Sequence, residues 1–190
     1  VYNLDSTKIS ISRGQGEPLS KYFQIQDGVS VVGMHLLNEK LSILTMTNYG
    51  YGFICLHEDL IVKSKKGKTL LRTKDSLAIK SISVDLDTDL YYLIITDAGY
   101  MLISKIKNVP ILSKGRGVKL INLPKSSEES IVFTSVLRKG QSLSFSYDSN
   151  RKRVMDFDML KDFIMERNRR GKKIDKKFLL EKVKTTYNIE

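Results

Sequence analysis

Leu41-Ser-Ile-Leu-Thr-Met-Thr-Asn-Tyr-Gly-Tyr-Gly-Phe-Ile54 and, 49 residues later, Leu90-Tyr-Tyr-Leu-Ile-Ile-Thr-Asp-Ala-Gly-Tyr-Met-Leu-Ile103 are two copies of one pattern. Each runs apolar strand, Thr, Asn or Asp, one residue, Gly, Tyr, apolar strand. Asn and Asp tolerate left-handed backbone and glycine adopts it without steric cost, so Asn48-Tyr-Gly50 and Asp97-Ala-Gly99 read as hairpin turns. The expected strands are Leu41–Thr47 and Tyr51–Leu56 in the first copy. A fixed period of about fifty residues is the signature of stacked repeats, each too small to bury its own faces.

Outward from each hairpin the chain reaches a glycine-containing basic segment. These are Lys63-Ser-Lys-Lys-Gly-Lys-Thr-Leu-Leu71 and Ser113-Lys-Gly-Arg-Gly-Val-Lys-Leu-Ile121. An earlier copy is Ser12-Arg-Gly-Gln-Gly-Glu-Pro-Leu19 and a later one is Glu166-Arg-Asn-Arg-Arg-Gly-Lys-Lys-Ile174. Gly16, Gly67, Gly117 and Gly171 are spaced by 51, 50 and 54 residues. Thr69–Leu71 is expected as a strand after the second basic turn, and the acidic link Asp85-Leu-Asp-Thr-Asp89 leads to the next unit. Three or four short strands per unit is the size of a propeller-type blade. Blade portions fall at roughly 1–37, 38–86, 87–137 and 138–190, giving about three complete blades plus part of another.

The third unit is more diverged. Ser142-Leu-Ser-Phe-Ser-Tyr147 alternates as a half-buried strand does. Asp148-Ser-Asn150 takes the turn position without a glycine, and Arg151-Lys-Arg153 replaces the apolar start of the following strand, which Val154–Phe157 continues. Asp158–Met165 reads equally as a short helix capped by Asp158 or as an irregular link, and Phe178–Tyr187 as a closing strand or short helix. Val1–Ile11 reads as strand material that begins abruptly, as in a piece of a longer chain.

Charge placement narrows the function. The net charge is +11, yet residues 1–50 carry 4 basic and 4 acidic side chains and residues 51–100 carry 7 and 7. Residues 101–150 carry 8 and 3, and residues 151–190 carry 13 and 7, so the whole excess lies in the second half. Signs are also segregated within the second quarter: Lys63–Lys74 carries six positive charges and no negative one, and Asp75–Asp97 carries five negatives against Lys80. A segregated basic surface implies a polyanion partner. Glycine-flanked basic loops let backbone amides approach phosphates while Lys and Arg neutralise them, without reading bases. The phosphate-contacting candidates are Arg13, Lys63, Lys65, Lys66, Lys68, Lys114, Arg116, Lys119, Arg151, Lys152, Arg153, Arg167, Arg169, Arg170, Lys172 and Lys173, carried on turns built by Gly16, Gly50, Gly67, Gly99, Gly117 and Gly171. The first loop is the least basic, so the grip is expected to be strongest on the second to fourth.

Enzymatic signatures are thin. Cys55, the one cysteine, sits in an apolar run and reads as a small buried hydrophobe, and no Cys/His cluster exists to hold a metal. His57 reads as a solvated residue of a polar link and His35 as a strand residue in Val31–Leu37. The glycines of the first loop do not complete a dinucleotide motif, and Ser113–Gly117 lacks the ending of a P-loop. No apolar run reaches the length of a membrane helix.

Arg13-Gly-Gln-Gly-Glu-Pro-Leu19, Gly50-Tyr-Gly-Phe53 and Leu112-Ser-Lys-Gly-Arg-Gly-Val-Lys-Leu-Ile-Asn-Leu123 together resemble the C-terminal domain family of the A subunits of bacterial DNA topoisomerase IV and, more distantly, gyrase, over about residues 1–174. The resemblance implies an all-β pinwheel of four-stranded blades that exchange strands with their neighbours, with a basic rim that bends duplex DNA. It implies a parent type IIA topoisomerase that uses ATP and Mg²⁺ bound elsewhere, relaxes supercoils, decatenates chromosomes, and acts in the bacterial cytoplasm at the nucleoid. Its partners would be DNA, a B subunit, and a second copy of the A chain joined through upstream domains. Two departures bear on this. The lysine- and glycine-rich box typical of gyrase is absent from these 190 residues, which favours the topoisomerase IV branch over a gyrase domain that wraps DNA for negative supercoiling, and a box upstream of Val1 would reverse that preference. The lost turn glycine of the third unit favours an open ring. The alternative from the residues alone is a propeller-like protein scaffold that docks partners on the acidic links of Asp75–Asp97.

Overall fold

The computed structural model describes residues 1–9, 16–25, 28–73, 77–124, 128–147, 151–179 and 185–190. Both quoted segments are hairpins. Strand β1 (Leu41–Thr47) pairs antiparallel with β2 (Tyr51–Cys55), and β4 (Tyr91–Thr96) with β5 (Tyr100–Lys105). The turns are copies down to their bonds. Gly50 N donates to Thr47 O and Gly99 N to Thr96 O, both at 2.9 Å. Tyr51 N and Tyr100 N donate to the Thr47 and Thr96 hydroxyls, both at 3.2 Å. Gly50 and Gly99 hold φ of +75° and +74°, where a side chain would strain the backbone.

A third strand flanks each hairpin. β3 (Ala78–Asp85) pairs with β1, and β7 (Ile131–Leu137) with β4. The fourth strand is exchanged. β6 (Val118–Lys119) follows the second hairpin in sequence yet pairs back with β2 of the first. β10 (Lys172–Lys173) likewise follows the third unit and pairs back with β5. The sheet orders are therefore β3-β1-β2-β6 and β7-β4-β5-β10. The third sheet has three strands among the described residues, in the order β11 (Thr185–Ile189), β8 (Leu143–Tyr147), β9 (Lys152–Met155). The all-β, blade-by-blade architecture thus matches the expectation, with blades taking their last strand from the following basic loop.

The continuous apolar runs of the first two units have a plain cause: the second blade is buried on both faces. Leu93, Ile95, Met101 and Ile103 pack with Leu143, Phe145, Met155 and Phe163 of the third blade. The intervening Tyr92, Ile94 and Leu102 pack with Leu44, Met46, Ile54 and Val84 of the first. A smaller cluster, Ile43, Phe53, Cys55, Leu60 and Leu70, covers the other face of the first blade. The third blade is apolar on one face, and Ser144, Ser146, Lys152, Thr186 and Asn188 share the other by register.

Several local expectations change. Thr69–Leu71 is not a strand; Leu71 makes an isolated parallel bridge to Gly115 while Leu70 sinks into the small cluster. Val1–Ile9 contains a 3-10 turn at Ser6–Lys8 capped by Asp5, not a strand. His35 lies outside any strand, its two ring nitrogens each 2.8 Å from a serine hydroxyl of β3, Ser83 and Ser81. His57 is half-buried at the start of helix α1 (His57–Leu60) rather than solvated. Helix α2 (Phe157–Leu160) forms, but its cap is Asp156, whose Oδ1 accepts from Met159 N at 2.8 Å. A cap must precede the first helical residue, so Asp158 lies too far along the chain to serve. Of the stretch Phe178–Tyr187, Thr185–Tyr187 lie in β11, and residues 180–184 and the turn at Asp148–Asn150 lie outside the described residues.

Candidate nucleic-acid interface

Glycine seats three of the four basic loops on backbone from an earlier part of the chain. Gly117, at φ +76°, lies so close to the Gly52 carbonyl that a methyl group there would collide with it. Gly171, at φ +92°, sits in the same way on the Met101 carbonyl. Gly67, at φ +72°, rests on the Val1 carbonyl and the Tyr2 ring, while Lys68 N donates to Val1 O at 2.9 Å and the Val1 amine to Lys68 O at 2.8 Å. All three loops therefore meet a preceding carbonyl through glycine, and this fixes where their cations emerge.

The residue before two of these glycines repeats as well. The Arg116 guanidinium lies 3.9 Å from the Tyr51 ring centroid, and that of Arg170 lies 4.0 Å from Tyr100. Two residues past each glycine, Lys119 and Lys173 lie 5.9 and 4.9 Å from the same two rings. A guanidinium held face-on to an aromatic ring keeps its N–H edge available for a bidentate acceptor. The hairpin tyrosines are therefore platforms for the loops, a role that strand preference alone does not reveal. The signal in the sequence is their shared place directly after the turn glycine.

The candidates divide by what their charges touch. Lys63, Lys65, Lys66, Lys114, Arg116, Arg169 and Lys172 are exposed. Others are tied into the fold. Arg170 pairs at 2.9 Å with Glu129, whose side chain is 2% exposed and also accepts from the Thr96 hydroxyl at 2.6 Å. Arg167 donates to Lys119 O at 2.7 Å, Lys68 to Asp59 O at 2.7 Å, and Lys173 to the Ala98 carbonyl. In the third blade Lys152 pairs with Glu190 at 2.5 Å, Arg153 donates to the Lys177 carbonyl, and Arg151 is exposed. Arg13 lies outside the described residues, and Gly16 keeps a positive φ with open space around it.

The acidic links are largely used internally. Buried Asp89 accepts from Asp85 N and pairs with Arg138 at 2.7 Å, and Asp97 accepts from Ser130. Cys55 is buried, and burial pushes its thiol up to about 11, which leaves little thiolate at neutral pH. Among the described residues no His/Cys/Asp/Glu group could hold a metal, and no helix is long and apolar enough to cross a membrane.

Residues 42–76 and 90–138 match the family described as "DNA gyrase C-terminal domain, beta-propeller". The A chain of DNA topoisomerase 4 from Haemophilus influenzae is 33% identical over 174 residues, and that from Escherichia coli K12 is 31% identical. Each alignment covers 90% of this chain and 23% of the relative, so the chain spans about a quarter of these proteins. The solved E. coli ParC C-terminal domain superposes with a TM-score of 0.78 at 29% identity, covering 94% of this chain and 72% of that one. A DNA gyrase A C-terminal domain, at 16% identity and a TM-score of 0.65 over 86% of this chain and 56% of that one, shares the fold. Repeat, exchange and comparisons agree, and the chain belongs to the C-terminal domain family of the topoisomerase IV and gyrase A subunits.

Proposed function

We propose that this domain binds and bends duplex DNA without reading its sequence, as the C-terminal domain of the A chain of a type IIA topoisomerase. One observation carries the proposal: strand exchange seats two glycine-hinged basic loops on equivalent strands, and a third loop rests on the Val1 carbonyl in the same manner. Loops recurring in one register offer successive phosphates a repeated contact, and such contacts position DNA without a base code. Bending a site by 40–90° costs about 1–6 kcal/mol, which added phosphate contacts offset. On this reading the whole enzyme relaxes supercoils and decatenates chromosomes at the nucleoid. ATP and Mg²⁺ act outside this domain, in the upstream breakage–reunion core and the B subunit. The A chains dimerise through that core.

Duplex affinity measured against salt tests the DNA reading. We expect log affinity to fall with log salt by about 0.9 per phosphate contacted. Charge reversal at Lys65/Lys66, Lys114/Arg116 or Arg169/Lys172 should weaken binding and flatten that slope. A flat salt dependence in the unmodified chain, or full binding after reversal at Lys114/Arg116, overturns the reading. A protein partner recovered with no DNA binding at low salt would instead support a docking scaffold.

A further inference from the structure

The two complete blade junctions are built alike but finished differently. At the junction of the second and third blades the platform is closed. Arg170 gives its edge to Glu129, Lys173 folds onto the Ala98 carbonyl, and Leu179 covers Gly99. At the junction of the first and second blades it is open. Among the described residues Arg116 makes its contact with the Tyr51 ring and no hydrogen bond or ion pair, and Lys119 turns aside to Asn122 at 3.2 Å. A cleft of about 580 Å³ lies there, walled by Tyr49, Tyr51, Arg116 and Lys119 together with the carboxylates Glu128 and Glu129, the latter already paired with Arg170.

Tyr49 is the second difference. It occupies the hairpin-turn position that Ala98 fills in the next blade, and it is 50% exposed. It belongs to none of the three apolar clusters. An aromatic ring held on a tight turn beside two cations has little packing role, yet it offers an apolar face next to a phosphate site. A nucleotide presents just that pair of surfaces: an anionic phosphate and an apolar sugar face. We propose that this cleft is a two-point anchor for one DNA strand, with Arg116 gripping a phosphate from its Tyr51 platform and Tyr49 packing on the adjoining deoxyribose. The inference rests on the DNA-binding reading above and assigns its tightest point. Arg170 is the closed copy and a clamp between blades.

Affinity of the 190-residue chain for a mixed-sequence duplex, measured across a salt series, separates the roles. Tyr49→Ala should weaken binding roughly five- to tenfold with an unchanged salt slope, because apolar burial is lost and no charge moves. Tyr49→Phe should bind as the unmodified chain does. Arg116→Gln should lower the slope by about 0.9, and Arg170→Gln should leave it unchanged. Thermal unfolding of each variant separates lost contacts from lost fold. Wild-type affinity in Tyr49→Ala overturns the anchor, as does loss in Tyr49→Phe or an equal slope change in Arg116→Gln and Arg170→Gln. If the anchor fails while charge reversal at Lys65/Lys66 still weakens binding, the DNA reading stands. If neither moves binding, both fall.

Discussion

Glycine and arginine show how one residue type serves two ends. Gly117 and Gly140 both hold positive φ, +76° and +87°. Alanine at Gly140 meets open space and should cost about 1–2 kcal/mol, from left-handed backbone alone. Alanine at Gly117 also strikes the Gly52 carbonyl, so overpacking should bring the loss to about 3 kcal/mol or more in urea unfolding. The glycine register was readable in the sequence; the carbonyl beneath Gly67, Gly117 and Gly171 was not. The Arg170–Glu129 pair shows the same divide, since 41 residues separate its partners. Its side chains are 42% and 2% exposed, so removing the arginine takes the opposite charge from a buried carboxylate that keeps the Thr96 hydroxyl, whereas removing the carboxylate frees an arginine to water. Arg170→Ala should therefore destabilise by about 3 kcal/mol, and Glu129→Gln by less, in the same assay.

Among elements, the segment around His35 is expected to respond to pH. Burial lowers the His35 pKa from its ordinary 6.5. The unfolded chain then binds the proton first, so stability rises with pH through that region and is lost as pH falls below about 6.5. Hydrogen exchange should show the segment near His35 loosening from β3 on acidification, and His35→Asn should flatten that response. A response unchanged in His35→Asn would place its source elsewhere. The sequence suggested a strand here because its residues are β-formers. The structure instead holds it by two serine hydroxyls, a tertiary contact no local preference encodes. The hairpins, by contrast, were legible to within a residue, because Thr-Asn/Asp-x-Gly turns set their own register.

At the scale of the whole molecule, blades are not equivalent. Adjacent Leu93 and Ile94 are each fully buried but belong to different cores. Leu93→Ala and Ile94→Ala should each cost about 2–5 kcal/mol. In the one-sided third blade only alternate positions should behave so: Phe145→Ala about 3–5 kcal/mol, Ser146→Ala within about 0.5. Thermal unfolding of the four variants would show the contrast, and equal losses at Phe145 and Ser146 would refute it. Continuous apolar runs against clean Ser-x-Ser alternation already carried this difference. The sequence by itself determined the repeat, the turns, the glycines and the total of positive charge, because these depend on backbone preference and composition. Only the tertiary structure decided which cations face solvent. The exchange lays the third and fourth basic loops on strands about seventy residues earlier in the chain. There tyrosine faces, buried carboxylates and backbone carbonyls engage some cations and leave Arg116 on its tyrosine ring, lining the cleft.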